Sequence, residues 1–174
     1  MSSNLPGFLL SLLVALILQV VGLPGVLDPF APLWLPLTLA YWALYAGEMP
    51  VLFAAWLLGL CCDVLYNAPL GQYALGLLTM TFVVCLMRGA LLAFPLWQKT
   101  FALIPVWSLY IFLMFWIDGM IARHPANWIN ALPHHSADPA LRWLPLLSTS
   151  LLWPLAAGLL GEMRDRRSHH GLLP

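Results

Sequence analysis

Charge is what this chain of 174 residues has least of. Only 8% of its residues are Asp, Glu, Lys or Arg, against about 25% in a water-soluble domain, while 62% are hydrophobic. So few charges cannot cover a solvated surface, and the sequence predicts a chain embedded in a bilayer. Its seven acidic and seven basic residues cancel, which removes the electrostatic footprint that nucleic acid requires. Cysteine is scarce as well. Cys61, Cys62 and Cys85 all lie in apolar runs without a CxxC pair, so neither a disulfide framework nor a zinc site is expected. The pairs His134-His135 and His169-His170 have no HExxH-type spacing and read as surface polar residues. No phosphate-cradling Gly loop, nucleophile elbow or triad spacing occurs. The expectation is a non-enzymatic protein with no cofactor and no metal.

What is present is a series of long apolar runs, too long for the alternating strands of an outer-membrane barrel. They predict an all-α polytopic membrane protein, a six-helix transmembrane bundle with spans at about 5–21, 33–46, 51–66, 70–87, 100–121 and 143–161. A single transmembrane domain over 1–163 is then followed by a charged cytoplasmic tail, 164–174. The first run has no Lys or Arg before it and no small-residue cleavage site after it, so it is expected to remain as a span. The second run covers only about 21 Å of a ~30 Å hydrocarbon core and must be enclosed by neighbours or extended by shielded backbone. Its Tyr41, Trp42 and Tyr45 read as headgroup-level aromatics. The segment between Arg88 and Lys99 is too short to cross and is expected to lie along the headgroups. With six spans, Arg88, Lys99, Arg164, Arg166 and Arg167 fall on one side, and Arg123 and Arg142 on the other. Five against two puts both termini in the cytoplasm.

The most informative stretch is Gly59 to Leu75. An apolar run reaches Asp63, breaks at Asn67-Ala-Pro69-Leu-Gly71, and resumes, which predicts a tight helical hairpin with an acid at its closed end. Asp63 follows Gly59 by one helical turn, so a small surface and a carboxylate share a face. Gln72, Gly76 and Thr79 share a face on the next helix and are expected to meet the helix of Asp63. Alternation of the spans brings Asp63 and Asp118 to one membrane level, with Arg123 and Arg142 beside them. Pairing within that layer would offset the cost of intramembrane acids. For Asp63 and Asp118, helix packing and contact with a partner or ligand both stay open, while Gln72 reads as helix glue and Gln19 as either an interfacial side chain or an interhelical hydrogen bond. Trp42, Gly59 and Gly76 are candidates for an exposed groove that receives a partner helix, and Gly71 is the turn residue.

Several ordered features resemble the rod shape-determining protein MreD family. They are Leu39-Ala-Tyr-Trp42-Ala-Leu44, Gly59-x-x-x-Asp63-x-Leu65, Leu70-Gly71 before Ala74-Leu75, Leu96-Trp97-Gln98, Phe115-Trp116-x-Asp118 and Leu152-Trp153-Pro154. Some members have a glutamate where this chain has Asp118, and the loop from Arg123 to Arg142 is longer than in some relatives. The resemblance implies a fold similar to the six-helix substrate-binding components of energy-coupling transporters. It also implies an inner-membrane component of the elongasome that associates with an MreC-like single-pass membrane protein. Through that protein the family connects to the MreB filament and to the RodA–transpeptidase pair that builds lateral peptidoglycan. The competing expectation is a small-molecule-binding component of a transporter, which needs a polar cavity between helices.

Overall fold

The computed structural model of the chain describes residues 5–22, 29–46, 48–121 and 141–170. Among them are six α-helices and no strand: α1 (Leu5–Val21), α2 (Trp34–Tyr45), α3 (Glu48–Leu65), α4 (Gln72–Ala93), α5 (Leu96–Ile121) and α6 (Leu144–His170). A short 3-10 turn, Leu141–Trp143, leads into α6. The chain is an all-α membrane protein. The stretches 72–93, 96–120 and 144–162 are each long and apolar enough to cross a bilayer, and α1 and α3 are shorter apolar helices.

The bundle is built around α2. Every residue of α2 from Leu35 to Leu44 is buried, and the helix packs against α1, α3, α4 and α6. At twelve residues it is too short to span the bilayer alone, and its neighbours enclose it. The headgroup placement expected for Tyr41 and Trp42 is therefore corrected, since they are 1% and 4% exposed. The reason is length: twelve residues rise only about 18 Å, and enclosure removes the mismatch with the bilayer. The Trp42 indole N–H donates to Ser11 Oγ at 2.8 Å, and Ser11 Oγ donates in turn to the Phe8 carbonyl at 2.9 Å. The Phe8 ring meets Trp42 edge-on at 5.2 Å. At the other end of α2, the Leu33 N–H donates to Thr149 Oγ1 at 2.9 Å, which ties the helix start to α6.

Around this hub α3, α4, α5 and α6 pack in chain order, and α1 closes against α6. Trp107 and Trp153, both fully buried, meet at 5.8 Å and lock α5 to α6. The outward faces are apolar, with Leu9, Leu13 and Ile17 on α1, Phe53 and Trp56 on α3, Phe112 and Trp116 on α5, and Leu151 and Leu155 on α6. Apolar surface this extensive belongs against lipid.

Two boundaries differ from expectation. The segment from Arg88 to Lys99 does not lie flat as a separate piece. Instead α4 runs through Arg88 to Ala93 and α5 begins at Leu96. Arginine is a good helix former. The chain breaks where Pro95 forces Phe94 into an extended conformation (φ −82°, ψ 145°). At the other boundary, α6 runs past residue 161 through the basic run to His170, beyond the apolar stretch that ends at 162.

Candidate functional site

The closed end of the α3–α4 hairpin brings together the buried side chains of Asp63, Tyr66 and Gln72. Helix α3 ends with Asn67 in the left-handed region (φ 51°). The Ala68 N–H donates to the Asp63 carbonyl at 2.9 Å, and the Asn67 N–H to the Val64 carbonyl at 3.3 Å. This is the paired carbonyl capture of a Schellman ending. Gly71 then adopts φ 100° as the N-cap of α4, a conformation in which a β-carbon is strained. A glycine N-cap has no side chain to offer the free amides of the first turn. Asp63 supplies it from the preceding helix: Oδ2 accepts the Gly71 N–H at 2.7 Å and Oδ1 accepts the Tyr73 N–H at 2.7 Å. Asp63 is 1% exposed. A carboxylate beside a helix N-terminus is also favoured by the helix dipole.

One turn earlier, Gly59 lets the two helices touch. A β-carbon built on Gly59 would overlap the backbone of Ala74, lying 2.5 Å from its nitrogen. Gly59 and Asp63 thus act on α4 from one face, Gly59 by its absence of side chain and Asp63 by its oxygens. Because Ala74 takes α3, positions 72 and 76, about 200° and 160° around the helix from it, must face elsewhere. They face α5. The Gln72 amide donates to Asp118 Oδ1 at 2.7 Å, and Gly76 lies under Met114 and the Tyr110 ring. The expectation that Gln72 and Gly76 meet the helix of Asp63 is corrected accordingly.

These contacts bring the C-terminal ends of α3 and α5 and the N-terminal end of α4 to one end of the bundle, with Asp63 and Asp118 there. Helix α1 joins at the same end. The Tyr66 hydroxyl donates to the Gln19 carbonyl at 2.7 Å, and Gln19 Oε1 accepts the Leu35 N–H at 3.5 Å. Of the two readings of Gln19, the structure shows the interhelical one. Sequence reasoning misses Tyr66; its one signal is a phenol three residues after Asp63, at the last turn before the break. Ser11 and Thr149, which hold α2 at its two ends, give no signal among small polar residues.

Trp42, Gly59 and Gly76 do not line an exposed groove, which corrects that expectation. Trp42 is inside the hub, Gly59 is covered by α4 and Gly76 by α5. Arg123 lies outside the described residues. Arg142 sits in the 3-10 turn against α5 and α6, but its side chain is outside them too. Among the described residues, no three His, Cys, Asp or Glu side chains converge as a metal site.

The Gln72–Asp118 bond carries a direct prediction. Gln72→Leu and Asp118→Leu should each destabilise the bundle, and a double-mutant cycle in thermal unfolding should give a coupling of about 1 kcal/mol. Additive effects would mean that the two side chains do not interact.

A family model described as rod shape-determining protein MreD matches residues 1–162. No solved structure matches the chain.

Proposed function

The chain belongs to the rod shape-determining MreD family and so takes part in determining rod shape; we propose that it does so as a non-enzymatic scaffold in the inner membrane. Its partner is an MreC-like single-pass protein, whose membrane helix it holds. Through that partner it supports the MreB filament and the RodA–transpeptidase pair in lateral peptidoglycan synthesis. Both termini face the cytoplasm, a reading supported by the five-to-two distribution of Lys and Arg.

The observation that carries the scaffold reading is the use made of the intramembrane acids. Asp63 commits one oxygen each to two backbone amides, and Asp118 holds Gln72. These groups fasten helices to one another, which makes a rigid body with apolar flanks. The binding face is then an outer one, such as the exposed aromatic side of α3 or α5, because the inward-facing glycines are already covered.

Crosslinkable residues at Phe53 and Trp116, in cells that also express the MreC-like protein, test this. A heteromer captured from either face is expected. Monomer alone, together with a thermal-shift response to vitamins or lipid-linked precursors, would replace the scaffold with a small-molecule-binding component.

A further inference from the structure

The acids Asp63 and Asp118 sit at one end of the bundle, and the other end carries an excess of cations. There Arg88 and Lys99 flank the α4–α5 break, one on each helix. Arg88 lies five residues before Ala93 and Lys99 three after Leu96, about 8 Å and 5 Å along their helices from the break. Both belong to the inward stripes of their helices. Arg88 continues the buried series Leu77, Thr81 and Val84 and precedes buried Leu91. Lys99 lies one turn before buried Leu103. The residues flanking Arg88, namely Leu86, Met87, Gly89 and Ala90, are all exposed, while Arg88 itself is half-buried. It makes no hydrogen bond or ion pair with another described residue.

Lys99 has a weak partner only. Its ammonium is 3.5 Å from the Tyr45 hydroxyl and 5.9 Å from the ring centre, which leaves donors to spare. A β-carbon built on Gly89, the next residue, meets nothing within 4 Å, so the face beside Arg88 is open to the outside of the bundle. The sequence from Arg88 to Phe101 holds no acid. At this end of the bundle Arg88, Lys99, Arg164, Arg166 and Arg167 stand against Glu48, Glu162 and Asp165, five minus three, an excess of two cations. Just outside, Leu92, Phe94, Leu96, Trp97 and Phe101 form an exposed apolar and aromatic corner.

We propose that the α4–α5 hairpin end is a binding site for an anionic phospholipid, with Arg88 and Lys99 holding the headgroup phosphate and the Leu92–Phe101 corner carrying the acyl chains. A half-buried guanidinium with no partner among the described residues has its N–H donors to offer to an anion, and guanidinium and phosphate match in geometry. Adjoining apolar surface at the same level selects a lipid over a soluble phosphate. Basic sites between membrane helices take anionic headgroups for these reasons.

The test uses the full chain in mixed-lipid nanodiscs, with phosphatidylglycerol compared with phosphatidylcholine, and counts retained lipids by native mass spectrometry. Wild type should retain phosphatidylglycerol in preference to phosphatidylcholine. The double variant Arg88→Gln/Lys99→Gln should lose that preference by about 30-fold, the effect expected of two cations at a headgroup surface. Arg166→Gln controls for net charge and should keep the preference. Thermal unfolding in phosphatidylcholine alone should be the same for the double variant and wild type, which separates lost binding from misfolding. Equal retention of both lipids by wild type would overturn the proposal, as would an unchanged preference in the double variant, an equal loss in Arg166→Gln, or phosphatidylglycerol displaced by inorganic phosphate.

Discussion

Gly59→Ala is expected to destabilise the bundle by about 3 kcal/mol, although it adds a single methyl group. The new carbon meets the Ala74 backbone, 2.5 Å from its nitrogen and 2.9 Å from the Tyr73 carbonyl carbon. Backbone cannot swing aside as a side chain can, so α3 and α4 must separate along the hairpin, and overpacking of this kind lies at the upper end of the usual range of about 1–3 kcal/mol. The contrast within the same chain is informative. Gly89 and Gly158 are helical glycines at which an added methyl would meet nothing within 4 Å. Alanine there should stabilise slightly, by up to about 1 kcal/mol, through helix propensity. Thermal unfolding of the three variants in one detergent checks both signs. Three equal effects would mean that α3 and α4 do not approach at Gly59.

The second large effect is expected at Asp63. Asp63→Ala removes the acceptor for two amides of the first turn of α4, and Gly71 as N-cap has no side chain to replace it. Two charge-assisted bonds are lost and their donors are left without partners, a cost on the order of 3 kcal/mol. Asp63→Asn keeps one acceptor oxygen and should fall between alanine and wild type. The readout is hydrogen exchange. Protection at Gly71 and Tyr73 should drop in the alanine variant, while the centre of α4 near Met80 and Val84 keeps its protection. Uniform loss along α4 would instead assign Asp63 a role in the whole fold. In cells with rod morphology that depends on this protein, the same variant should lower its level and round the cells.

Much of this geometry is legible from spacing. Gly59 and Asp63 one turn apart, followed by a break with Asn67 and Gly71, specify a hairpin whose acid faces its own turn, because helical period and turn chemistry are local properties. The apolar runs likewise mark the six helices. What spacing does not reveal is set by packing between distant segments. Trp42 reads as an interfacial aromatic because a short helix with tyrosines at one end has that pattern. Only the closure of α1, α3, α4 and α6 around it makes it the hub. Gln72 and Gly76 go to the wrong neighbour on spacing alone, since a shared face says which residues go together and not what they meet. Ala74, an ordinary residue in sequence, decides it by taking α3. The flat segment expected between Arg88 and Lys99 fails for another reason. Cations suggest a membrane boundary, but Pro95 alone breaks the helix.

Asp63 and Asp118 lie at one end of the bundle and Arg88 and Lys99 at the other, and both the fastening of the helices and the proposed lipid site depend on that arrangement. It is tested most directly by labelling single cysteines with a membrane-impermeant maleimide in spheroplasts, with Cys61, Cys62 and Cys85 replaced. Asn67→Cys in the α3–α4 turn and Gly119→Cys near the end of α5, both at exposed positions, should react from the outside, and Phe94→Cys in the α4–α5 break should not. Labelling of Asn67→Cys and Gly119→Cys from opposite sides of the membrane would contradict the arrangement.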